Sequence, residues 1–483
     1  MTQTATSALP LRAPDRPART GWILAVILIG QFMAILDTSI VNVAAPTIRT
    51  DLHTSGAGLQ LVVAGYIISY AVLMITGARL GDLAGHGRMF QTGLALFTVT
   101  SLACGLAPGS GSLIAFRFAQ GAGAALMVPQ VFSLIQRTFA GPARARALSF
   151  YAAVLAAGGV VGQVFGGMLV DANLAGSGWR PVFLVNVPVG LVLLAMGRRL
   201  LPRDKGEPGR RLDPVGTLVL AAAVFALVLP LVLGHEYGWP LWTWLSLAGS
   251  VLLFGAFAAL QRRSAGAALI PARVLRAPGL LAAAAAILLT MASYAGYLFT
   301  TALRLQSGLG YSPTHAGLLF LPGAVTFAVG SLNWRRVPAS RWRRMIPLGL
   351  AVAALGDLGI AWSLHDGPSA TLGFAVSMAL FGLGLGVAFS PLITVALIHV
   401  PVGDAADASG VLATLTQLGQ VIGVATFGSL YLTLVAGHSS STSIGVAASA
   451  CAGCALLAAF AALFLPGLSR AATTGSRSPN SPR

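Results

Sequence analysis

GWILAVILIGQFMAILDTSIVNVAAP, residues 21–46, begins with an apolar run reaching to about residue 43 and carries one acid, Asp37. A hydrocarbon core ~30 Å thick takes about 20 apolar residues of helix to cross, and this run is long enough. A cleaved signal core is shorter and avoids aspartate, and further apolar runs follow closely, so the segment reads as a retained helix. Thirteen more runs fall near residues 57–78, 90–107, 111–133, 147–170, 181–200, 214–233, 241–260, 279–303, 314–333, 345–364, 369–394, 408–433 and 443–466. The expected fold is an all-α membrane protein with fourteen transmembrane helices.

Composition agrees. Of 483 residues 56% are apolar and 9% charged, with a mean hydropathy of +0.81, whereas soluble domains carry roughly a quarter charged residues. The formal charge of +17 could suggest nucleic acid as a partner, but the arginines sit in short loops between apolar runs, which is a topological signal. With the N-terminus inside, 26 of the 30 Lys and Arg fall in cytoplasmic segments and three (Arg49, Arg180, Arg304) outside, while Arg117 lies within a span. Basic loops stay in the cytoplasm, so both termini are expected there, in a bacterial cytoplasmic membrane. Cys104, Cys451 and Cys454 lie inside apolar runs and give no disulfide framework; Cys451 and Cys454 match C-x-x-C by spacing alone.

The runs divide as six, two and six. A cytoplasmic tail (1–20) precedes a six-helix bundle (21–200), a polar linker (201–213), two extra spans (214–260), a second basic linker (261–278), a second six-helix bundle (279–466) and a Ser/Thr/Gly/Pro-rich tail (467–483) expected to be disordered. Gly162-Gln163-Val164-Phe165-Gly166 in the fifth run recurs as Gly419-Gln420-Val421-Ile422-Gly423 in the thirteenth, the fifth of the last six. That placement points to two parallel repeats with a central site between them, an arrangement found in many secondary transporters.

Ionisable residues inside spans cost ~2.5 to 3.5 kcal/mol on insertion scales, so each is a functional candidate. Asp37, Arg117 and Asp357 qualify. An acid withdrawn from water suits proton uptake and release, and Asp37 is read that way; the alternative is a carboxylate satisfied by Thr38, Ser39 or Asn42. Arg117 stays charged and needs acceptors, so it is read as a fixed cation tuning a nearby acid, against the alternative of snorkelling to an interface. Asp357 reads equally as a second proton or cation site and as an acid bonded between helices. Arg304 and Gln306 are weaker candidates. Gly77 to Phe90 forms a Gly-rich turn in which Asp82, Gly85 and Arg88 are read as a conformational latch, the charged pair bonding to helix ends. Gly158, Gly162, Gly166 and Gly167 have the small-residue spacing of close helix packing. Tyr66, Tyr70, Tyr294 and Tyr297 could stack on an aromatic cation or serve as packing and interface anchors.

In family order, Leu36 to Pro46 (Leu-Asp-x-x-x-Val-Asn-Val-Ala-x-Pro), Asp82 to Gly85 with Arg88, Arg117 to Ala125 (Arg-x-x-Gln-Gly-x-Gly-Ala-Ala) and Gly162 to Gly167 (Gly-x-x-x-Gly-Gly) resemble the major facilitator superfamily, specifically its fourteen-span bacterial drug:proton antiporters. The resemblance covers residues 21–466 and implies proton coupling through Asp37 and Arg117, a latch at Asp82 and Arg88, and an antiporter-type hinge in the fifth-span glycines. The chain departs at Ala78 and Leu83 in the turn and at Gln163, where the antiporter pattern has Pro.

The resulting expectation is export of a bulky amphipathic or cationic compound, such as a drug, in exchange for protons. The machine would be a monomer with no cofactor, no metal and no nucleic-acid partner. No Gly-x-x-x-x-Gly-Lys-Ser/Thr loop occurs, and Gly382, Gly384 and Gly386 lie within a span, so ATP is not the expected energy source. Transport of one specific metabolite is the alternative within the fold. A membrane-embedded enzyme or receptor is the alternative outside it, but the seven histidines are scattered over loops and span ends, with no ligand or nucleophile spacing.

Overall fold

Every backbone polar group inside a bilayer must find its partner within the protein, which leaves a chain of apolar runs no choice but helices. A computed structural model describes residues 17–202, 204, 206, 213–234, 236–263, 278–364, 372–398, 400 and 405–465. The expected C-terminal tail lies outside the described residues, as do most of the N-terminal tail and much of both linkers. The helices are α1 (Pro17–Asp51), α2 (Gly56–Ala84), α3 (His86–Gly105), α4 (Ser110–Thr138), α5 (Gly141–Asp171), α6 (Pro181–Leu200), α7 (Pro214–Leu233), α8 (Leu241–Arg263), α9 (Leu280–Leu303), α10 (Pro313–Arg336), α11 (Ala339–Ser363), α12 (Leu372–Leu397), α13 (Ala405–Gly437) and α14 (Ser440–Leu463). Among the described residues, twelve helices are long and apolar enough to cross a membrane. By that measure α3 and α5 are not among them, although both are long and pack within the bundle.

Helix starts follow ordinary capping chemistry. Ser55 accepts the Gly58 N–H at 3.0 Å before α2, and Asp213 accepts the Gly216 N–H at 2.7 Å, with Pro214 opening α7. The α2–α3 turn passes through Gly85 at φ +97°, a backbone region that side-chain-bearing residues rarely adopt.

Packing repeats between the halves. α1 packs on α5 as α9 packs on α13, and the pairs α2–α4, α3–α4 and α3–α6 correspond to α10–α12, α11–α12 and α11–α14. The five-residue echo sits at these equivalent contacts. A Cβ on Gly162 would come within 2.6 Å of the Ser39 Cβ on α1, and one on Gly419 within 2.9 Å of the Met291 Cβ on α9. Likewise Gly166 lies against Ile40, and Gly423 against Ala292. The repeated glycines therefore set the same helix approach twice. Gly382, Gly384 and Gly386 do comparable work in α12, against Gly323, Ala353 and Phe327.

The halves meet along α2–α13 and α5–α10, again a symmetric exchange. The extra pair α7–α8 lies at the periphery over the α2–α13 seam. Thr217 bonds Thr76 at 2.9 Å, and the Leu231 carbonyl accepts the Ser429 hydroxyl at 2.6 Å. α8 is largely exposed, as a lipid-facing helix would be.

Candidate transport site

A cavity of about 500 Å³ lies between the halves, walled by α1, α2, α4 and α5 on one side and α9, α10, α12 and α13 on the other. Its lining reaches Leu397, the last residue of α12, and Leu412 near the start of α13, at the end of the bundle that holds the α2–α3 turn. The opposite end is tied shut between halves. Asp171 accepts the Thr314 N–H at 2.7 Å, Gln306 donates to the Val43 carbonyl at 2.8 Å, and Gly167 packs directly on Pro313. Gln306 reaches across because α9 ends in one π turn, Arg304–Gly308, a local widening often found at functional sites.

Asp37 and Arg117, 80 residues apart, form a buried ion pair at 2.5 Å. Asp37 is 0% and Arg117 1% exposed. Gln120 and Asn186 also donate to the carboxylate, at 2.8 and 3.3 Å, so the acid accepts bonds from α4 and α6 together. The guanidinium in turn donates to the Gln120 amide oxygen at 2.7 Å and the Val62 carbonyl at 3.0 Å. Ser101 on α3 completes the cluster, accepting from Gln120 and Asn186 and donating to the Phe183 carbonyl. Thr38 and Asn42 bond to carbonyls of their own helix, while the acid is held from α4 and α6. Snorkelling of Arg117 fails, given its burial.

Tyr66 separates this cluster from the cavity. It lines the cavity wall, and the Arg117 guanidinium carbon lies 4.5 Å from its ring centroid. Tyr70, Tyr294 and Tyr297 line the same cavity, Tyr297 packing on Phe381 with centroids 4.3 Å apart. Sequence reasoning assigned no role to Gln120, Asn186 or Ser101. Gln120 had a readable signal, since it lies three residues from Arg117 and hence on the same helix face. Asn186 and Ser101 had none.

Asp357 is 0% exposed in the second half and is not brought to Asp37. Its Oδ2 accepts from Ser293 at 3.3 Å, and its Oδ1 has no partner among the described residues. Arg304 is buried, donating to Ser440 at 2.6 Å and to the Leu364 carbonyl at 2.8 Å, which ties α9 to α11 and α14.

At the α2–α3 turn, Asp82 lies 3.6 Å from His86, and Arg88 is exposed. Asp204 in the linker accepts the His86 and Gly87 N–H groups at 3.1 and 3.3 Å, capping the start of α3. A buried relay continues from the His86 ring to Gln130 at 2.8 Å and on to the Gly77 carbonyl at 2.8 Å. The turn is thus fastened to α4 and the linker of its own half.

Among the fifth-span glycines, Gly158, Gly162 and Gly166 face α1, while Gly167 faces α10 across the seam. A Cβ on Gly166 would meet Ile40 Cγ1 at 2.6 Å, whereas one on Gly159 meets nothing nearer than Ser39 Oγ at 3.9 Å. Gly166→Val is therefore expected to cost ~1–3 kcal/mol through overpacking and Gly159→Ala almost nothing, read as thermal midpoints of the two variants in detergent.

The Major Facilitator Superfamily model matches residues 27–424. The chain is 38% identical over 435 residues to the probable actinorhodin transporter of Streptomyces coelicolor, covering 89% of this chain and 75% of the relative. It is 39% identical over 419 residues to the cephamycin export protein CmcT of Amycolatopsis lactamdurans, covering 84% of each. With the multidrug resistance protein Stp of Mycobacterium tuberculosis it shares 34% over 409 residues, 83% of this chain and 74% of Stp. A bacterial homologue of the human lysosomal transporter Spinster, solved inward-facing and unoccupied, has the same fold at TM-score 0.67 and 17% identity, covering 93% of this chain and 98% of that one. Two repeated six-helix halves around a cavity, with a family model and relatives of this kind, make the chain a transporter and not an enzyme; it belongs to the Major Facilitator Superfamily.

Proposed function

We propose that this protein exports drug-like small molecules across a bacterial cytoplasmic membrane in exchange for protons, by alternating access of its two halves. The observation that carries the coupling is the Asp37–Arg117 pair, sealed from the cavity by Tyr66, a residue that touches both. Protonation of Asp37 removes the charge that holds Arg117, and with it a tie between α1 and α4; cargo packing on Tyr66 presses on the same contact. Each ligand thereby biases the equilibrium the other acts on. Asp357, with no cation bonded to it and one oxygen unsatisfied among the described residues, is assigned as a second protonation site. The names of the relatives, an actinorhodin transporter, a cephamycin exporter and a multidrug resistance protein, support export.

In this reading α3 and α5 also cross the membrane, giving fourteen spans. The strongly basic end is cytoplasmic, both tails lie there, and the cavity of this conformation opens to the cytoplasm. Asp82, Gly85 and Arg88 form the cytoplasmic latch together with His86 and Asp204, and the α5 glycines let that helix shift on α1. The proton gradient supplies the free energy, without a cofactor, and one chain suffices.

The test is transport by purified protein in liposomes with an acidic lumen. A panel of antibiotics should include compounds that accumulate in the lumen while the pH gradient stands and leak back when nigericin collapses it. Equal accumulation with and without the gradient sinks the exchange mechanism.

A further inference from the structure

The cavity wall holds aromatic, aliphatic and uncharged polar side chains; among the described residues no Asp, Glu, Lys, Arg or His lines it. The buried pair nearby is already committed, since Asp37 and Arg117 satisfy each other behind Tyr66, and Asp357 is 0% exposed and does not line the cavity. A cation leaving water for this cavity would meet no carboxylate, so its desolvation would go uncompensated. Tyr66 offers little relief, because it already carries the Arg117 guanidinium, and Tyr294 and Tyr297 pack on Phe381.

Two glutamines on the wall point to what the cavity does hold. Gln31 on α1 is 3% and Gln163 on α5 is 5% exposed; both line the cavity, and each has an amide oxygen with no partner among the described residues. A buried acceptor left unpaired is costly, and rotation about the loose last torsion of a glutamine presents it to a bound molecule. Gln163 is also where the sequence departs from the antiporter pattern, and a proline there would offer no side-chain amide.

We propose that the cargo is an uncharged aromatic molecule bearing hydroxyl or amide hydrogen-bond donors, recognised by Gln31 and Gln163. Its exchange for protons then carries net charge, because each entering proton is unmatched by a departing cation. The charge movement rests on the proton-exchange reading; the cargo class does not.

Binding to purified protein is measured with three probes: tetraphenylphosphonium, a permanent cation; resveratrol, uncharged with three phenolic donors; and its trimethyl ether, with the same rings and no donors. Resveratrol is expected to bind about tenfold more tightly than either of the others, as one or two recovered hydrogen bonds imply. In the Gln31→Leu/Gln163→Leu variant the gap between resveratrol and its ether closes, while the ether still binds. Tighter binding of the phosphonium, equal binding of resveratrol and ether by the natural sequence, or a gap that survives the double change overturns the cargo class. In liposomes at equal pH, a potassium diffusion potential set with valinomycin, negative on the side from which cargo leaves, should drive resveratrol movement. Movement that follows the pH gradient but ignores the potential overturns the net-charge claim. Movement that follows neither, with the binding order intact, counts against proton exchange and leaves the cargo class standing.

Discussion

Asp37→Asn is expected to reduce pH-gradient-driven cargo accumulation in liposomes to the level of protein-free vesicles, while exchange of labelled for unlabelled cargo without a gradient continues at the same order of rate. The amide matches the carboxyl in shape, and its oxygen still accepts from Gln120 and Asn186, which lie 2.8 and 3.3 Å from Oδ1 in the native cluster. What it cannot do is take up and release a proton. Arg117 loses its carboxylate partner but keeps the Val62 carbonyl and the Gln120 oxygen as acceptors, so the cluster is weakened rather than emptied. Cargo exchange without a gradient needs the halves to rock and the cavity to bind, and neither property requires titration of Asp37. Loss of both activities would indicate misfolding, and Asp37→Glu, which restores a titratable group one methylene longer, then separates the cases. Gradient-driven accumulation by a stable Asp37→Asn protein would remove Asp37 from the coupling step.

The helices and the repeat of the two halves were legible because hydrophobicity is a periodic signal, the bilayer leaves one backbone solution for it, and the five-residue echo falls at matching positions. Asp37 and Arg117 stood out because charge inside an apolar run is rare. The neutral half of the cluster did not. Ser101 and Asn186 carry no charge, and small polar residues are common in packed membrane helices, so only the fold reveals that α3 and α6 bring them to Asp37. One partner of the latch turn was not legible for a related reason. The turn's sequence motif contains Asp82 and Arg88, but the carboxylate that caps α3 is Asp204, more than 100 residues downstream, in a linker whose polar composition gives no register. At Gln163 the sequence shows only a departure from a family pattern; that it lines the cavity with an unpaired amide oxygen is visible in the fold alone. Arg304, which the loop count places on the outer side, is buried and held by Ser440 and the Leu364 carbonyl.

Arg117→Leu should be the most destabilising single change in the first half, and the double change Asp37→Asn/Arg117→Leu should be far less so. Removing the guanidinium leaves a carboxylate that is 0% exposed with, among the described residues, the Gln120 and Asn186 donors alone, and stranding one partner of a buried pair costs ~3–5 kcal/mol. The same change opens space beside Tyr66 and Phe183, whose centroids lie 4.5 and 5.6 Å from the guanidinium carbon, which adds a packing loss. Neutralising Asp37 as well removes the stranded charge; buried pairs replaced on both sides by uncharged groups are often close to neutral in stability. The three variants and the natural sequence thus form a cycle in which the double change is much milder than the sum of the singles. Thermal midpoints in detergent measure it directly. Restored stability with gradient-driven transport still absent is the expected pairing of results, because a neutral pair can hold α1 on α4 but cannot exchange a proton for cargo. Additive losses in the double variant would mean that the two side chains, despite their contact, do not depend on each other, and the electrostatic account of the site would have to be given up.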